Sequence, residues 1–457
     1  MGLWSWQSHA QFYPEVFQWN DNFLSSSVSP ALVFEKSFYL SVPVISHTRI
    51  FWRNSAFTPY DLFGMQDADF NETWRRILTE LSPGKGIFSA VNEEWFHVGW
   101  KKEGKFYQIR YRSGLFFLYQ HPVSLYRAVA YGINTEIPPV KLNEIAFEGE
   151  MRNTLSFGIN WPKENSGFGI NFHFYNSGFY FKSRNNRGEI YVERSGEVYI
   201  HHFDDISLNI TSAGLLPFIE EDKVGRPEVN PESVTKRIKR KLLWGNNLGL
   251  GMDVGFYKTL GKWQWNFSLL DAGFLYYFTD PYQYTVSGSF TYSGINPDFD
   301  NSRDYWKALS EQWKKQLQEN KSTNNFIRFT HYKIYSGLKY FIGGKSGRAD
   351  KLKCYVPWKK YAGEQSSDYL GITGFYQDLN GPVYWGASLY GHFRLGKYLD
   401  WRVLYGYENL YGHALGTGIL LHAGAWHLFL SAYNSLETMD LSQSKAFTFR
   451  AGTYFAF

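Results

Sequence analysis

The sequence predicts an all-β fold: a closed antiparallel transmembrane β-barrel of about 14 strands, with about 12 to 16 admissible, carrying short loop and plug helices. Three observations predict it. The chain ends on a strand in which Phe447, Phe449, Phe455 and Phe457 share one face while Thr448, Arg450, Gly452 and Tyr454 share the other, so that strand separates two environments. Aromatic residues make up 20% of the 457 residues, with 34 Tyr, 39 Phe and 17 Trp beside 42 Gly, yet mean hydropathy is only −0.38. And charged residues fall opposite the rings in strand after strand. Half of each membrane strand faces lipid and half a polar lumen, and that division produces this balance.

Composition excludes several classes. One cysteine, Cys354, allows no intrachain disulfide and no cysteine-based metal site. A formal net charge of +5 with no basic stripe between aromatics points away from nucleic acid. No phosphate-binding or dinucleotide-binding glycine loop occurs, so no cofactor is expected. Residues 1–10 end in Ser8-His9-Ala10 and read as the remnant of a secretory signal. Residues 11–457 then form one barrel, with residues 11–30 as a plug segment.

Taken in order, a strand-like run covers residues 31–42 and stops at Pro43. Trp74, Ile77, Leu78 and Leu81 fall at helical spacing within residues 58–82, and Pro83-Gly84 ends that loop or plug helix. Phe96, Val98 and Trp100 then alternate, turn at Glu103-Gly104, and are answered by Tyr107, Ile109 and Tyr111. A short helix follows Pro122. Leu155, Phe157, Ile159 and Trp161 face Phe168, Ile170, Phe172 and Phe174 across the next turn, with Asn171 and His173 on the opposite face. Residues 220–241 are charged and read as an extramembrane excursion. Strands resume at 248, and residues 301–318 read as an amphipathic helix with Trp306, Leu309, Trp313 and Leu317 on one side. A polar loop spans 343–367, and Asn380-Gly381 is the strongest hairpin signal. Residues 414–433 hold no Asp, Glu, Lys or Arg and are long enough for a membrane helix. Their alternation broken at Gly424-Ala425 makes them two strands instead.

A soluble sandwich shares the alternation. The terminal Phe, which resembles the assembly signal of outer-membrane barrels, the signal-like start and the Trp and Tyr load decide for the barrel. Closure also satisfies every backbone donor in hydrocarbon.

Residues 96–101 with the strand after them, residues 266–274 and residues 292–295 resemble an uncharacterised family of large outer-membrane barrels of Gram-negative bacteria, architecturally related to long-chain fatty-acid transporters. Ser29-Pro30-Ala31 stands where that family opens with Asn-Pro-Ala. The resemblance implies a fold and a location in the cell outer membrane, against outer-membrane lipid, and no activity. Relatives of this barrel type serve in hydrophobic-compound uptake and as partners in the type IX secretion apparatus.

Candidate chemistry is sparse. On a strand His201 and His202 point to opposite faces, so of these and Asp204 and Asp205 only His202 and Asp204 could share an ion, too few ligands for a metal. Glu144, Glu148 and Glu150 share a face and could pair as acid and base, although a lumenal face accounts for them. No nucleophile elbow occurs. His392, Arg394, Asp400, Arg402 and His422 are the expected lumen-lining set, able to hold a plug or a solute. The expected function is passage of small solutes, hydrophobic ones among them. The alternatives are a non-conducting barrel that docks other envelope proteins and a barrel lipid hydrolase with Ser and His on the lipid-facing rim; an enzyme is not the expectation.

Overall fold

A computed structural model of the chain describes residues 16–19, 22–32, 34, 36–42, 46–64, 69–196, 198–214, 220–221, 227–228, 245–292, 316–342, 368–378, 383–409, 412–433 and 442–457. Residues 1–10, Cys354, Asn380-Gly381, loop 343–367, nearly all of 220–241 and most of 301–318 lie outside them.

Fourteen antiparallel strands close on themselves. In chain order they are β1 (Phe38–Ser41 and His47–Asn54), β2 (Gly86–Lys102), β3 (Lys105–Gln120), β4 (Phe147–Lys163), β5 (Ser166–Ser183), β6 (Asn247–Leu260), β7 (Trp263–Tyr277), β8 (Lys333–Phe341), β9 (Tyr369–Asp378), β10 (Val383–Leu395), β11 (Leu399–Glu408), β12 (Gly412–Ala423), β13 (Trp426–Tyr433) and β14 (Ala446–Ala456). Each pairs with the next, and β14 returns to β1 through Arg450↔Arg49 and Ala456↔Tyr39. Residues 412–433 are two strands, as their alternation requires, and Gly424 turns between them at φ 66°. Residues 31, 32 and 34 are not strand, contrary to the sequence reading, and β1 begins only at Phe38. A period of two cannot tell a strand from an extended segment buried on both sides.

The two ends of the barrel differ. Turns at Glu103-Gly104, Gly261 and Gly396 use left-handed backbone, with φ of 52° and 72°, 59° and 72°. They sit at the end where the Phe457 carbonyl accepts the Ser37 and Phe38 amides. The opposite end carries the long excursions. There the strands Arg187–Ser195, Val198–Ala213, Tyr282–Tyr292 and Gln318–Ser322 pair into a sheet that continues the wall above Tyr180–Ser183 of β5.

Residues 58–82 form two helices, not one: α1 (Pro59–Phe63), with a reciprocal Thr58–Asp61 capping box, and α2 (Phe70–Glu80), capped by Asp69. Ile77, Leu78 and Leu81 are buried, and Leu78 and Leu81 pack on Val123 of α3 (Val123–Tyr131), with Trp74 against Tyr126 at 5.5 Å. The helices therefore cover one another at the long-loop rim. Beneath them His121 contacts Asn54 and Tyr126, and burial lowers its pKa to about 4.

Alternation assigns the wall's faces. Phe172 and Phe174 are each 52% exposed on the outside, while Asn171 and His173 between them are 1% exposed inside. Trp401, Tyr405 and Tyr407 look outward and Asp400 and Arg402 inward in the same way. The outward face is thus an almost continuous apolar and aromatic band.

Candidate functional site

The inside of the barrel is filled at two levels. At the tight-turn level, residues 16–19, 22–32 and 34 occupy the lumen. Val16, Phe17, Trp19, Phe23, Leu24 and Val28 are at most 1% exposed and form one core with inward rings of the wall, Tyr39, Phe106, Tyr335, Tyr369, Tyr390, Phe429 and Tyr454 among them. Room for this segment comes from missing side chains: a Cβ on Gly169 would collide with the Pro30 carbonyl, and one on Gly418 would lie 2.8 Å from the Trp19 ring.

Among the described residues, Gln18, Asn160 and Ser25 supply polar anchors for the segment. Gln18, buried and left-handed at φ 59°, donates to the Gly337 carbonyl at 3.2 Å and accepts from the Tyr390 hydroxyl. Its carbonyl accepts from the Tyr369 hydroxyl at 3.1 Å and from Lys339 at 3.4 Å. Asn160 donates to the carbonyls of Pro30 at 3.2 Å and Leu32 at 2.7 Å. Ser25 ties Val16 and Trp19 back onto the 3₁₀ turn Phe23–Ser27.

The five residues expected to line the lumen are gathered beside this segment. His392, Asp400 and Arg402 are fully buried. Arg402 lies over the Tyr390 ring at 4.1 Å and the Trp19 ring at 5.7 Å, and His392 stacks on Tyr369 at 4.5 Å. Asp400 faces His422 at 2.8 Å and Arg394 at 3.7 Å. Strand pairing Arg394↔Asp400, His392↔Arg402 and Asp400↔Leu420 brings them together.

Above the inner segment, the lumen is ionic. Glu94 meets His97 at 3.3 Å and Arg110 at 3.8 Å. Glu148 and Glu150 do share the inward face of β4, and Arg328 holds them both, at 3.5 and 2.8 Å. Arg184 adds a pair to Glu148 at 3.1 Å. Glu144 stands apart, accepting from the Ser124 amide and hydroxyl. Three strands build a further chain. Ser156 Oγ lies 2.8 Å from His173 Nδ1, and His173 Nε2 lies 2.8 Å from Asp253 Oδ2. The Asp271 amide donates to the other Asp253 oxygen at 2.7 Å.

Sequence reasoning missed this chain. It looked for Ser and His on the outer rim, and the structure places them inside, with Ser156, His173 and Asp253 at most 3% exposed. The ligand atoms of His173, Asp253 and Asp271 lie within 4.8 Å of one another, a spacing a metal ion could use. The charge is already met, because Lys333 holds Asp271 at 2.8 Å and Arg112 at 3.3 Å. His202 and Asp204, which the sequence left short of a metal site, both meet Tyr191, which stacks on His202 at 4.8 Å and donates to Asp204 at 2.8 Å.

Comparison with known proteins follows from this geometry. No curated protein matches the chain. Among solved structures, the CymD monoaromatic hydrocarbon channel is similar at 8% identity and TM-score 0.41, over 96% of this chain and 94% of that one. The Ralstonia pickettii toluene transporter TbuX is similar at 6% identity and TM-score 0.38, over 95% and 93%. A Pseudomonas aeruginosa FadL homologue is similar at 8% identity and TM-score 0.38, over 95% and 94%. One family model matches residues 30–432, and its description reads "Family of unknown function (DUF5723)". That match spans all fourteen barrel strands except the last and the final residue of β13, and the chain therefore belongs to this family of unknown function.

Proposed function

We propose that the protein is an outer-membrane barrel of a Gram-negative bacterium that passes small hydrophobic solutes between its inner segment and its wall. One observation carries the reading. In the tight-turn half, the wall turns Tyr39, Phe106, Tyr335, Tyr369, Tyr390 and Phe429 inward, where a water-filled pore would present polar side chains. Rings packed around the inner segment offer an apolar path that small shifts of that segment open. The outward band supports the membrane location: so large an apolar surface is unstable in water and matches acyl chains. A hydrophobic small molecule is the ligand class, and outer-membrane lipid is the surrounding partner.

The location is tested at Phe172. Phe172→Arg places a cation on the outward face beside Phe174, at a cost of about 2–4 kcal/mol if the site lies at mid-bilayer. Folding into vesicles is expected to weaken by that amount in a urea titration, and an effect below about 0.5 kcal/mol contradicts a lipid-facing position.

Passage is tested with the purified full chain in proteoliposomes. An apolar fluorescent dye should enter faster than in protein-free vesicles, while planar bilayers show no steady ionic steps. Large steady steps would make the lumen a water-filled pore. The filled lumen also favours a second reading, a non-conducting barrel that docks envelope proteins through its rim helices and raised sheet. Absence of dye entry together with a stable co-purifying envelope partner selects that reading.

A further inference from the structure

We propose that a cavity in the ionic level of the lumen is a binding site for an oxyanion, a phosphate or carboxylate group. It stands whether or not solutes cross the barrel.

The cavity has a volume of about 40 Å³ and is lined by Asn92, Arg112, Arg152, Thr154, Asp271 and Lys333 among others. A single water needs only about 10–15 Å³ on the same measure, so a compact group of three or four oxygens fits. Strand register creates the space. Asn92 on β2, Gly114 on β3 and Arg152 on β4 lie in one row, and Gly114 contributes no side chain between the other two. A Cβ there would lie 2.9 Å from Asn92 Oδ1.

Among the described lining residues, cations outnumber carboxylates. Three cations line the cavity against one carboxylate, Asp271, and that carboxylate is engaged by Lys333 at 2.8 Å and by Arg112 at 3.3 Å. Arg152 lies over the Tyr175 ring at 4.8 Å, and it forms no ion pair among the described residues. Nearby carboxylates are committed elsewhere. Glu150 takes Arg328 at 2.8 Å and the Tyr277 hydroxyl at 2.9 Å. Asp253 takes His173 at 2.8 Å and Asn171 at 3.1 Å.

A second observation points the same way: Asn92 Nδ2 is buried and has no hydrogen-bond partner among the described residues. A buried amide donor and a guanidinium fork on the lining of one small cavity match the acceptors of an oxyanion. Such a group would complete both, and a neutral apolar solute would complete neither.

The test uses the full chain in detergent micelles, with folding of every variant verified by heat-modifiable gel migration. Inorganic phosphate, glycerol phosphate and acetate are titrated calorimetrically. Phosphate should bind, and Arg152→Gln should weaken it about tenfold or more, as loss of a charge-assisted hydrogen bond implies. Arg152→Lys should recover part of the loss. Should Arg152→Gln fail to fold, Asn92→Leu removes the neutral donor and should weaken phosphate several-fold. Tighter binding of glycerol phosphate or acetate than of phosphate names the source as the headgroup of a larger solute, and the reverse order names the free ion. Unchanged phosphate affinity in folded Arg152→Gln, or no heat with any of the three probes, overturns the site.

Discussion

Replacing Arg328 by methionine should destabilise the barrel by about 3–5 kcal/mol, the penalty for leaving a buried carboxylate without its counter-ion. Arg328 is 8% exposed and bridges Glu150 at 2.8 Å and Glu148 at 3.5 Å, with its guanidinium over Tyr180 at 4.7 Å. Glu148 would keep Arg184 at 3.1 Å. Glu150 would keep only the Tyr277 hydroxyl, at 2.9 Å, while facing a like charge two residues away. Methionine preserves most of the volume, so packing contributes little to the loss. Adding Glu150→Gln to Arg328→Met should return much of the stability. Urea unfolding in vesicles, followed by tryptophan fluorescence, measures both. A loss under about 1 kcal/mol would mean that lumenal water screens these charges.

Trp19→Ala should loosen the inner segment more than any other single truncation. Trp19 is fully buried and sits edge-on to Phe429 at 5.3 Å and to His392 at 5.7 Å, beneath Arg402. Removing a buried indole costs about 3–5 kcal/mol, because the cavity left behind collapses only in part. Trp19 belongs to the segment and its partners Phe429 and His392 to the wall, so much of that cost falls on the segment's attachment. The barrel should keep its gel migration, protease cleavage within residues 16–34 should begin, and planar bilayers should show transient ionic openings. Protection and silence equal to the parent chain would mean that the segment is held by the wall's shape and not by this ring.

Much of the wall is legible from the residues. Phe172 and Phe174 against Asn171 and His173 fix the two faces of β5, and the same period assigns β10, β11 and β14. His392, Arg394, Asp400, Arg402 and His422 are found together because they lie on neighbouring strands of one meander, where a turn at Gly396 sets the register. What lies between distant strands was not legible. Ser156, His173 and Asp253 meet only because β4, β5 and β6 are adjacent, and no local spacing encodes that. Asp271 reaches Asp253, Lys333 and Arg112 because β6 and β7 pair out of step between Met252 and Val254, and its own φ is 54°. Ala31, Leu32 and Phe34 read as strand because residues buried inside the lumen carry the same apolar character. The two helices within 58–82 kept their apolar stripe, which packs on α3, an element with no sequence mark linking it to them.

The seam between the first and final staves has a consequence for assembly order. The Phe457 carbonyl accepts the amides of Ser37 and Phe38, so the hoop cannot shut before β14 has been delivered. Partners separated by nearly the entire contour make this a late and slow event. Residues 16–34 precede that seam, so they must be inside before it zips or thread a finished ring afterwards. Encirclement is the easier history, and it makes the occupant a mandrel around which the cylinder is wound.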